Sequence, residues 1–231
     1  MADKTDIHIA ITKDGPYIVT GDVPLAIQTI VKNAEGESWE WEQGKEFGLK
    51  NVYALCRCGH SRHAPYCDGA HVKVEFDGTE TASREPYDSM KTTVDGPAIT
   101  LDDVRPLCAV AQYCDAVLDS WDATPQTDQP DKRTLVIHQA TRCPSGRLVA
   151  RDTATGAAIE PEFEKSIGVV EDPGEGCSGP LWVRGGIQVR SRDGEPYEVR
   201  NRVTLCRCGE SKNKPFCDGT HVEVKYHDGI G

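Results

Sequence analysis

Short segments of alternating apolar and polar residues recur along the chain, and this period of two is typical of half-buried strands. Two related glycine–proline segments, residues 15–21 and 179–185, are each followed by such alternation. Four further strands are predicted around two cysteine-rich loops, one before and one after each loop. They lie at residues 52–55, 72–76, 203–205 and 222–226. The pattern therefore indicates a fold built mainly from short strands.

The stretch between these regions, roughly residues 96–175, has a different pattern. Thr100 is a good helix N-cap, and Asp102 and Asp103 would place acids in the first turn. Apolar residues then recur at helical spacing, which predicts a helix over residues 100–120. Two short strands and a turn-rich linker are predicted after it, at residues 134–138, 148–151 and 172–176.

The chain contains an internal repeat. Residues 56–76 and 206–226 align without gaps at an offset of 150, with 12 of 21 positions identical. All three cysteines of each copy match, and His71 matches His221. The two other histidines of the first copy have no histidine counterpart in the second. The repeat thus marks one histidine per copy, His71 or His221, as a candidate functional residue and does not mark the others.

The similarity extends upstream to the glycine–proline segments, but the first copy is longer there. It has 41 residues from the start of its glycine–proline segment to its first cysteine, and the second copy has 27. We assign the extra residues to the polar stretch 33–45, whose Trp39 and Trp41 are predicted to cover a neighbouring surface. Copies this small cannot each bury a full core. We therefore expect the two copies to pack about a pseudo-twofold axis, as a homodimer would.

The composition narrows the classes of partner and of cysteine chemistry. The 231 residues include 26 Lys and Arg against 37 Asp and Glu, a net charge of −11, which argues against nucleic acid or an anionic membrane as the partner. No apolar run approaches the ~20 residues of a membrane helix, and the first residues show no secretion-signal pattern. We therefore expect a cytoplasmic protein, in which ten clustered cysteines indicate metal or redox chemistry rather than disulfides.

Each cysteine-rich loop has the spacing Cys-x-Cys-x8-Cys-x3-His. Three thiolates and one imidazole make a complete donor set for a thiophilic metal. The candidate ligands are Cys56, Cys58, Cys67 and His71 in the first loop and Cys206, Cys208, Cys217 and His221 in the second. Each histidine follows a cysteine by four residues, so a helical turn would place both on one face, and Asp68 or Asp218 would cap that turn.

The spacing leaves two kinds of metal site open. Zinc often binds three cysteines and one histidine, but its usual Cys-x2–4-Cys knuckle is longer than the Cys-x-Cys found here. A cluster of two irons is longer than a single zinc ion. The first pair of donors can therefore bind one iron and the second pair the other. Zinc and a 2Fe–2S cluster are therefore both compatible with the residues alone.

Both loops resemble the signature of the CDGSH, or NEET, iron–sulfur family: Cys-x-Cys, then Ser, then Pro-x-Cys-Asp-Gly-[Ser/Ala/Thr]-His. After Cys-Arg-Cys and a serine, the first copy reads PYCDGAH at residues 65–71 and the second PFCDGTH at 215–221. The resemblance covers about half of the chain. It implies a 2Fe–2S cluster in each loop, held by the three cysteines and the histidine. It also implies electron transfer or cluster transfer with proton-linked redox, and a redox partner or an apoprotein that accepts a cluster.

Four more cysteines, Cys108, Cys114, Cys143 and Cys177, lie in or beside the middle stretch. The Cys-x5-Cys and Cys-Pro-Ser-Gly patterns resemble divergent single-cluster ferredoxin-like segments. These four thiols would suffice for a third cluster, but the tight cysteine run of ferredoxins is missing. On a continuous helix Cys108 and Cys114 would also point about 120° apart. We therefore expect a ferredoxin-like insert without metal.

These observations predict an α+β protein rich in short strands, with two CDGSH repeats that form an internal pseudo-twofold dimer plus a small ferredoxin-like α/β insert. The predicted units are residues 1–95, 96–175 and 176–231. We expect a soluble monomer that carries two 2Fe–2S clusters and is not an enzyme. The alternatives are a zinc-binding interaction module and a component of a redox enzyme.

Overall fold

The computed structural model of the protein describes residues 7–230, in which thirteen strands form three sheets. The strands are β1 (His8–Ile11), β2 (Tyr17–Thr20), β3 (Leu25–Lys32), β4 (Ser38–Phe47), β5 (Val52–Leu55), β6 (Thr92–Val94), β7 (Ile99–Asp103), β8 (Leu148–Asp152), β9 (Ala158–Ile159), β10 (Ser166–Asp172), β11 (Cys177–Arg184), β12 (Gln188–Arg190) and β13 (Arg202–Leu205). The α-helices are α1 (Ala70–Lys73), α2 (Tyr87–Met90), α3 (Ser120–Ala123), α4 (Pro130–Arg142) and α5 (Thr220–Glu223). Short 3₁₀ turns lie at Arg105–Leu107, Tyr113–Asp115 and Thr124–Gln126.

Two of the sheets are related by the internal repeat. The first has the strand order β12-β1-β2-β5 and the second β13-β11-β10-β3-β4. Each copy supplies three antiparallel strands, β1-β2-β5 in one sheet and β10-β11-β13 in the other. The next strand of each copy crosses into the other sheet: β12 pairs in parallel with β1, and β3 pairs in parallel with β10. The predicted internal pseudo-dimer is confirmed: the second half contributes β12 to the first sheet, and the first half contributes β3 and its hairpin partner β4 to the second.

The core between these two sheets is built from the same positions of both copies. Ile9 is paired with Val189, and Ile167 is paired with Leu25, so equivalent positions of the two crossovers carry aliphatic side chains. These residues belong to one buried apolar cluster, whose further members include Ile11, Tyr17, Val19, Leu55, Val169, Leu181, Val183 and Leu205. Because neither copy holds these residues alone, the apolar area buried between the copies stabilises both.

The middle of the chain forms the third sheet, β6-β7-β8-β9, against helix α4. The predicted helix over residues 100–120 is wrong, since β7 occupies its beginning and turns follow. The acids expected in a first helical turn, Asp102 and Asp103, are buried in ion pairs instead, with Arg147 Nε lying 2.6 Å from Asp103 Oδ1. The ion pairs of Asp102 and Asp103 outweigh the weak preference of Thr100 for a helix N-cap. Pro106 also disfavours a helix over residues 100–120.

One other predicted element of the middle segment differs in type. The strand predicted at residues 134–138 lies within helix α4, where Val136 and Ala140, four residues apart, are both fully buried. The apolar run there was too short to separate the two periods. The strand predicted at 148–151 is confirmed as β8, and the turn at 172–176 is the hairpin that joins β10 to β11.

The closing strands predicted at residues 72–76 and 222–226 are also wrong. Each segment continues from a one-turn helix, α1 or α5, and then passes through a left-handed residue, Glu75 or Lys225. Among residues 7–230 the alternating sequence there has no partner strand, so local helical hydrogen bonds and those to Asp68 and Asp218 decide the conformation. By contrast, the strands before the loops, β5 and β13, lie where the sequence predicts them.

The extra residues of the first copy form most of the β3–β4 hairpin. Its two tryptophans cover the middle segment, as predicted. Trp41 packs on Trp182 and Tyr113, with ring centroids 4.6 and 5.1 Å apart, and Trp39 stacks on His138 at 4.1 Å. The hairpin therefore joins the repeat to the middle segment.

Two further observations concern the chain as a whole. Among residues 7–230 there is no helix with the length and apolar character needed to cross a membrane. Strand β10, which the predicted boundary at residue 175 assigns to the middle unit, pairs with β3 and β11 in the second sheet. The division into three units itself stays a prediction.

Candidate metal centres

Each cysteine-rich loop begins where a strand of the repeat ends. We call residues 56–71 loop I and residues 206–221 loop II. In loop I, Cys56 N–H donates to Pro65 O at 2.8 Å and Cys67 N–H donates to Ala54 O at 2.9 Å. Loop II repeats both bonds at the same distances. This pairing brings the first and third cysteines of each loop side by side at the end of β5 or β13.

Two polar side chains fix the path of each loop. The hydroxyl of Ser61 donates to Tyr66 O at 2.6 Å, and its equivalent Ser211 donates to Phe216 O at 2.7 Å. Asp68 accepts from the N–H groups of residues 62 and 70, which holds the pKa of its carboxyl at about 2. Asp218 makes the equivalent bonds in loop II. The N-cap residues of α1 and α5 are Gly69 and Gly219, so the predicted aspartate caps are wrong, although each aspartate accepts from the first N–H of its helix.

The four donors of each loop form two close pairs. The sulfurs of Cys56 and Cys58 lie 3.8 Å apart, and Cys67 Sγ lies 3.4 Å from Nδ1 of His71. The corresponding distances in loop II are 3.7 and 3.4 Å. Donors about 2.0–2.3 Å from one tetrahedral metal ion are themselves separated by about 3.5–3.8 Å. Each pair therefore has the spacing of two ligands on one tetrahedral ion.

The pairs do not combine into a site for a single ion. Within residues 7–230, no group of three or more His, Cys, Asp or Glu side chains lies close enough together to hold one metal ion. The donors of each loop therefore lie as two separate pairs. We call the donors of loop I site I and those of loop II site II.

The first thiol of each site is the more acidic of its pair. A hydrogen bond from the Cys58 thiol lowers the pKa of Cys56 to about 6, and backbone N–H groups of the loop act in the same direction. The Cys208 thiol lowers the pKa of Cys206 to about 7 in the same way. The pKa values of the donating thiols, Cys58 and Cys208, are raised. The loops thus favour a thiolate, the form that binds metal, in each pair.

A buried arginine lies behind each site, and the sequence interpretation did not assign it a role. Arg57 and Arg207 are each 1% exposed. Arg57 donates to the backbone carbonyls of Thr12 and Gly78. Arg207 donates to two backbone carbonyls and also pairs with Glu171. The sequence did mark this arginine, because Cys-Arg-Cys is identical in the two copies.

The two loops meet at the pseudo-twofold axis. An added Cβ at Gly59 would clash with the carbonyl group of Cys208, and one at Gly209 would clash with that of Cys58. Both glycines also have left-handed φ values, 78° and 88°. In addition, the Tyr17 hydroxyl of the first copy donates to the first cysteine carbonyl of loop II at 2.9 Å. The two sites therefore share one rigid scaffold.

The remaining cysteines are only partly brought together. Cys108, Cys114 and Cys143 line one small cavity of about 20 Å³ beside Arg147. Cys177 does not line it and instead lies at the start of β11, where burial raises its pKa to about 11. The four thiols considered for a third cluster therefore do not form one donor set in this structure.

A comparison with protein families agrees with this picture of the loops. The family described as iron-binding zinc finger CDGSH type matches residues 14–72 and 178–222. Each match includes all four donors of its loop, and residues 73–177 lie outside both. No curated protein and no solved structure matches the chain significantly. The sequence motif, the paired loops and this double match show that the chain carries the CDGSH iron-binding domain twice.

Proposed function

We propose that sites I and II each hold a 2Fe–2S cluster through three thiolates and one imidazole. The observation that supports this most directly is the two-and-two arrangement of donors, with 3.7–3.8 Å between the sulfurs and 3.4 Å between sulfur and imidazole. When bound, such a cluster supplies one-electron redox chemistry. The double match to the CDGSH domain supports iron–sulfur binding but not the number or type of clusters.

The residues around each site would bind and orient a cluster in defined ways. His71 and His221 both turn Nδ1 toward a cysteine sulfur, so Nε2 is the ring nitrogen left to hold a proton. Backbone N–H groups of Gly69 and Gly219 donate to the third cysteine of their loops at 3.4 Å. Such N–H donors offset negative charge on sulfur and tune the potential of an iron–sulfur centre. Proton-linked redox stays a prediction, which potentials measured between about pH 5 and 8 would test.

We further propose that the protein is a carrier rather than an enzyme, and that it passes electrons or clusters to a redox partner or to an apoprotein. The two sites lie at one end of their strands in loops that meet each other. This placement at one end of the strands supports exchange with another protein. Zinc is the competing occupant, and it would be bound as a structural ion.

Metal and sulfide analysis of anaerobically purified protein tests the proposal. We expect about four irons and four sulfides per chain, with a visible absorption that dithionite bleaches. Cys67→Ser and Cys217→Ser should each reduce the iron to about two per chain, because each removes one donor set. Cys114→Ser, outside both sites, is the matched control and should leave the iron content unchanged. A colourless protein that contains zinc and no sulfide would refute the proposal.

A further inference from the structure

Sites I and II carry the same donors at the same distances, yet the chain covers them differently. In site II, Cys217 and His221 are 2% and 4% exposed. In site I, Cys67 and His71 are half-buried. Because the two loops have nearly the same internal hydrogen bonds, the difference comes from what packs on them.

Residues 105–115 of the middle segment, here called the cover segment, lie on site II. Val110 packs against Gly219, the residue between Cys217 and His221, so closely that an added Cβ there would clash with the valine side chain. The carbonyl oxygen of Cys108 is also nearby, 3.6 Å from that Cβ position. At the equivalent Gly69 of site I, no described residue other than its chain neighbours comes within 4 Å of the corresponding Cβ position. The cover is therefore specific to one of the two sites.

Hydrogen bonds also fasten loop II to the rest of the chain. The side-chain amide of Asn213 donates to Pro106 O of the cover segment at 2.8 Å. The carbonyl of Lys214 accepts from the N–H groups of Thr81 and Ala82 at 2.8 and 2.9 Å. In the described part of the chain, the equivalent residues of loop I, 62–64, make hydrogen bonds and ion pairs only within that loop. Residues 62–64 of loop I thus lack the hydrogen bonds that tie residues 213 and 214 of loop II to other segments.

The backbone of the cover segment is held in a conformation that its sequence does not favour. Val110 has a φ of 54° and Gln112 a φ of 60°, both in the left-handed region. This conformation is rare for a β-branched residue. Surrounding contacts must hold it, so Val110 is kept over Gly219 at the expense of local backbone preference.

We propose that site I is the site from which a bound cluster exchanges, and that site II keeps its cluster behind the cover segment. This inference rests on the proposed function. An incoming thiolate or chelator must reach an iron before any ligand can be displaced. At site I the half-exposed histidine leaves that approach open, whereas at site II the cover segment must first open locally.

Release of iron to excess EDTA, followed by the visible absorption of the loaded protein, tests the inference. We expect two phases of equal amplitude whose rates differ by about tenfold or more, because only the slower one requires local opening. Cys217→Ser should retain only the fast phase and Cys67→Ser only the slow phase. A single phase in the unsubstituted protein, or the reverse assignment, would overturn the inference.

The variant Val110→Gly tests the covering side chain without adding strain to the fold. Glycine adopts the φ of 54° without cost, so this variant removes the covering side chain while relieving the backbone. We expect it to speed the slow phase by about threefold or more and to leave the fast phase unchanged. Val117→Gly is the matched control, since Val117 also has a left-handed φ, 66°, but is 66% exposed and makes no contact that covers site II. Equal effects of the two variants would contradict the inference.

Alkylation of the metal-free full chain gives a readout that needs no cluster. Iodoacetamide should modify Cys67 faster than Cys217 by about tenfold, and Val110→Gly should reduce the difference. Similar rates at Cys67 and Cys217 would overturn the cover inference alone. Absence of iron and sulfide from the purified protein would instead refute the proposed function.

Discussion

Arg207 and Arg57 occupy the same position behind sites II and I, but they are neutralised differently. The guanidinium of Arg207 binds the carboxylates of Glu171 and Asp228. Burial acts to lower the pKa of Arg207, but the two carboxylates outweigh it and raise the pKa overall. Arg57 binds backbone carbonyls and lies 5.5 Å from the ring of Phe76. The second arginine therefore belongs to a buried ion network that the first lacks.

This difference predicts unequal costs of removing the two charges. Arg207→Met would leave the buried carboxylates of Glu171 and Asp228 without a cationic partner, and we expect a loss of about 3–5 kcal/mol in the free energy of unfolding. Arg57→Met would leave backbone carbonyls unpaired, and we expect a loss of about 1–3 kcal/mol. Urea unfolding of the metal-free protein measures both. Equal losses would show that the carboxylates do not depend on Arg207.

His138 gives a pH dependence that is independent of the metal sites. Its ring stacks on Trp39, and Nε2 lies 3.0 Å from the Trp39 carbonyl oxygen, to which it donates when it carries the proton. Burial lowers the pKa of His138, with the charge of Arg142 acting in the same direction and that of Glu40 against it. Because the pKa is lower in the folded state, the contribution to stability is complete above the unfolded value of about 6.5 and is lost as the pH falls below it.

We therefore expect the metal-free protein to lose more stability between about pH 7.5 and 5.5 than the His138→Gln variant does. Glutamine keeps a donor for the Trp39 carbonyl but does not titrate. Urea unfolding of both proteins at the two pH values provides the comparison. Parallel losses would mean that other groups account for the whole effect.

At this scale the sequence was informative for the donors that the repeat marked. The pairing of Cys67 with His71 follows from spacing, and the structure places them accordingly. The burial of Arg57 could not be predicted, because a charged residue is normally exposed and its partners lie far away in the sequence. The same reason explains why Asp103 was misassigned, since its partner Arg147 is 44 residues away.

Among the elements, the β3–β4 hairpin has the clearest role beyond its own sheet. Trp41 donates from Nε1 to Arg142 O at 3.1 Å, and Glu40 pairs with the Arg142 guanidinium at 2.8 Å. The Tyr113 hydroxyl donates to Glu40 O at 2.8 Å, which ties the cover segment to the hairpin. An insertion in the first copy thus stabilises the segment that covers the second.

Trp41→Ala should loosen the cover segment as well as the hairpin. Because Trp41 is only half-buried, we expect a loss of about 2–3 kcal/mol, less than a fully buried tryptophan would cost. Hydrogen–deuterium exchange should become faster at residues 105–118. Phe47→Ala, at the far end of the same strand, is the matched control and should leave exchange there unchanged. Unchanged protection in the Trp41 variant would contradict this role of the hairpin.

The elements were predictable where local pattern and tertiary pairing agree. Strands β5 and β8 were found from alternation or an apolar run because each has a partner strand on at least one side. The segments after the loops alternate equally well, yet they fold as α1 and α5 because no partner strand is available. Pairing over long sequence distances, such as the crossover of β3 and β12, is invisible to any local window.

On the scale of the whole molecule, the crossover of β3 and β12 satisfies in one chain what a single-copy protein would obtain from a second molecule. With the crossed strands in place, β1 and β10 each have a partner strand on both sides. The outer strand β4 carries exposed charged residues, with Glu42 and Glu46 among them. Exposed charges on an edge strand disfavour pairing with the edge of another molecule. The completed core and the charged edge both favour a single chain in solution.

We therefore expect a monomer, with a mass near the 25.3 kDa of the chain by light scattering at all concentrations tested. The physical reason is that the apolar faces that would drive dimerisation are already buried between the two copies. Measurement with and without bound metal separates this prediction from the metal proposal, because the strand crossover contains none of the donors. A mass of twice that value, or one that rises with protein concentration, would show that another face of the molecule pairs.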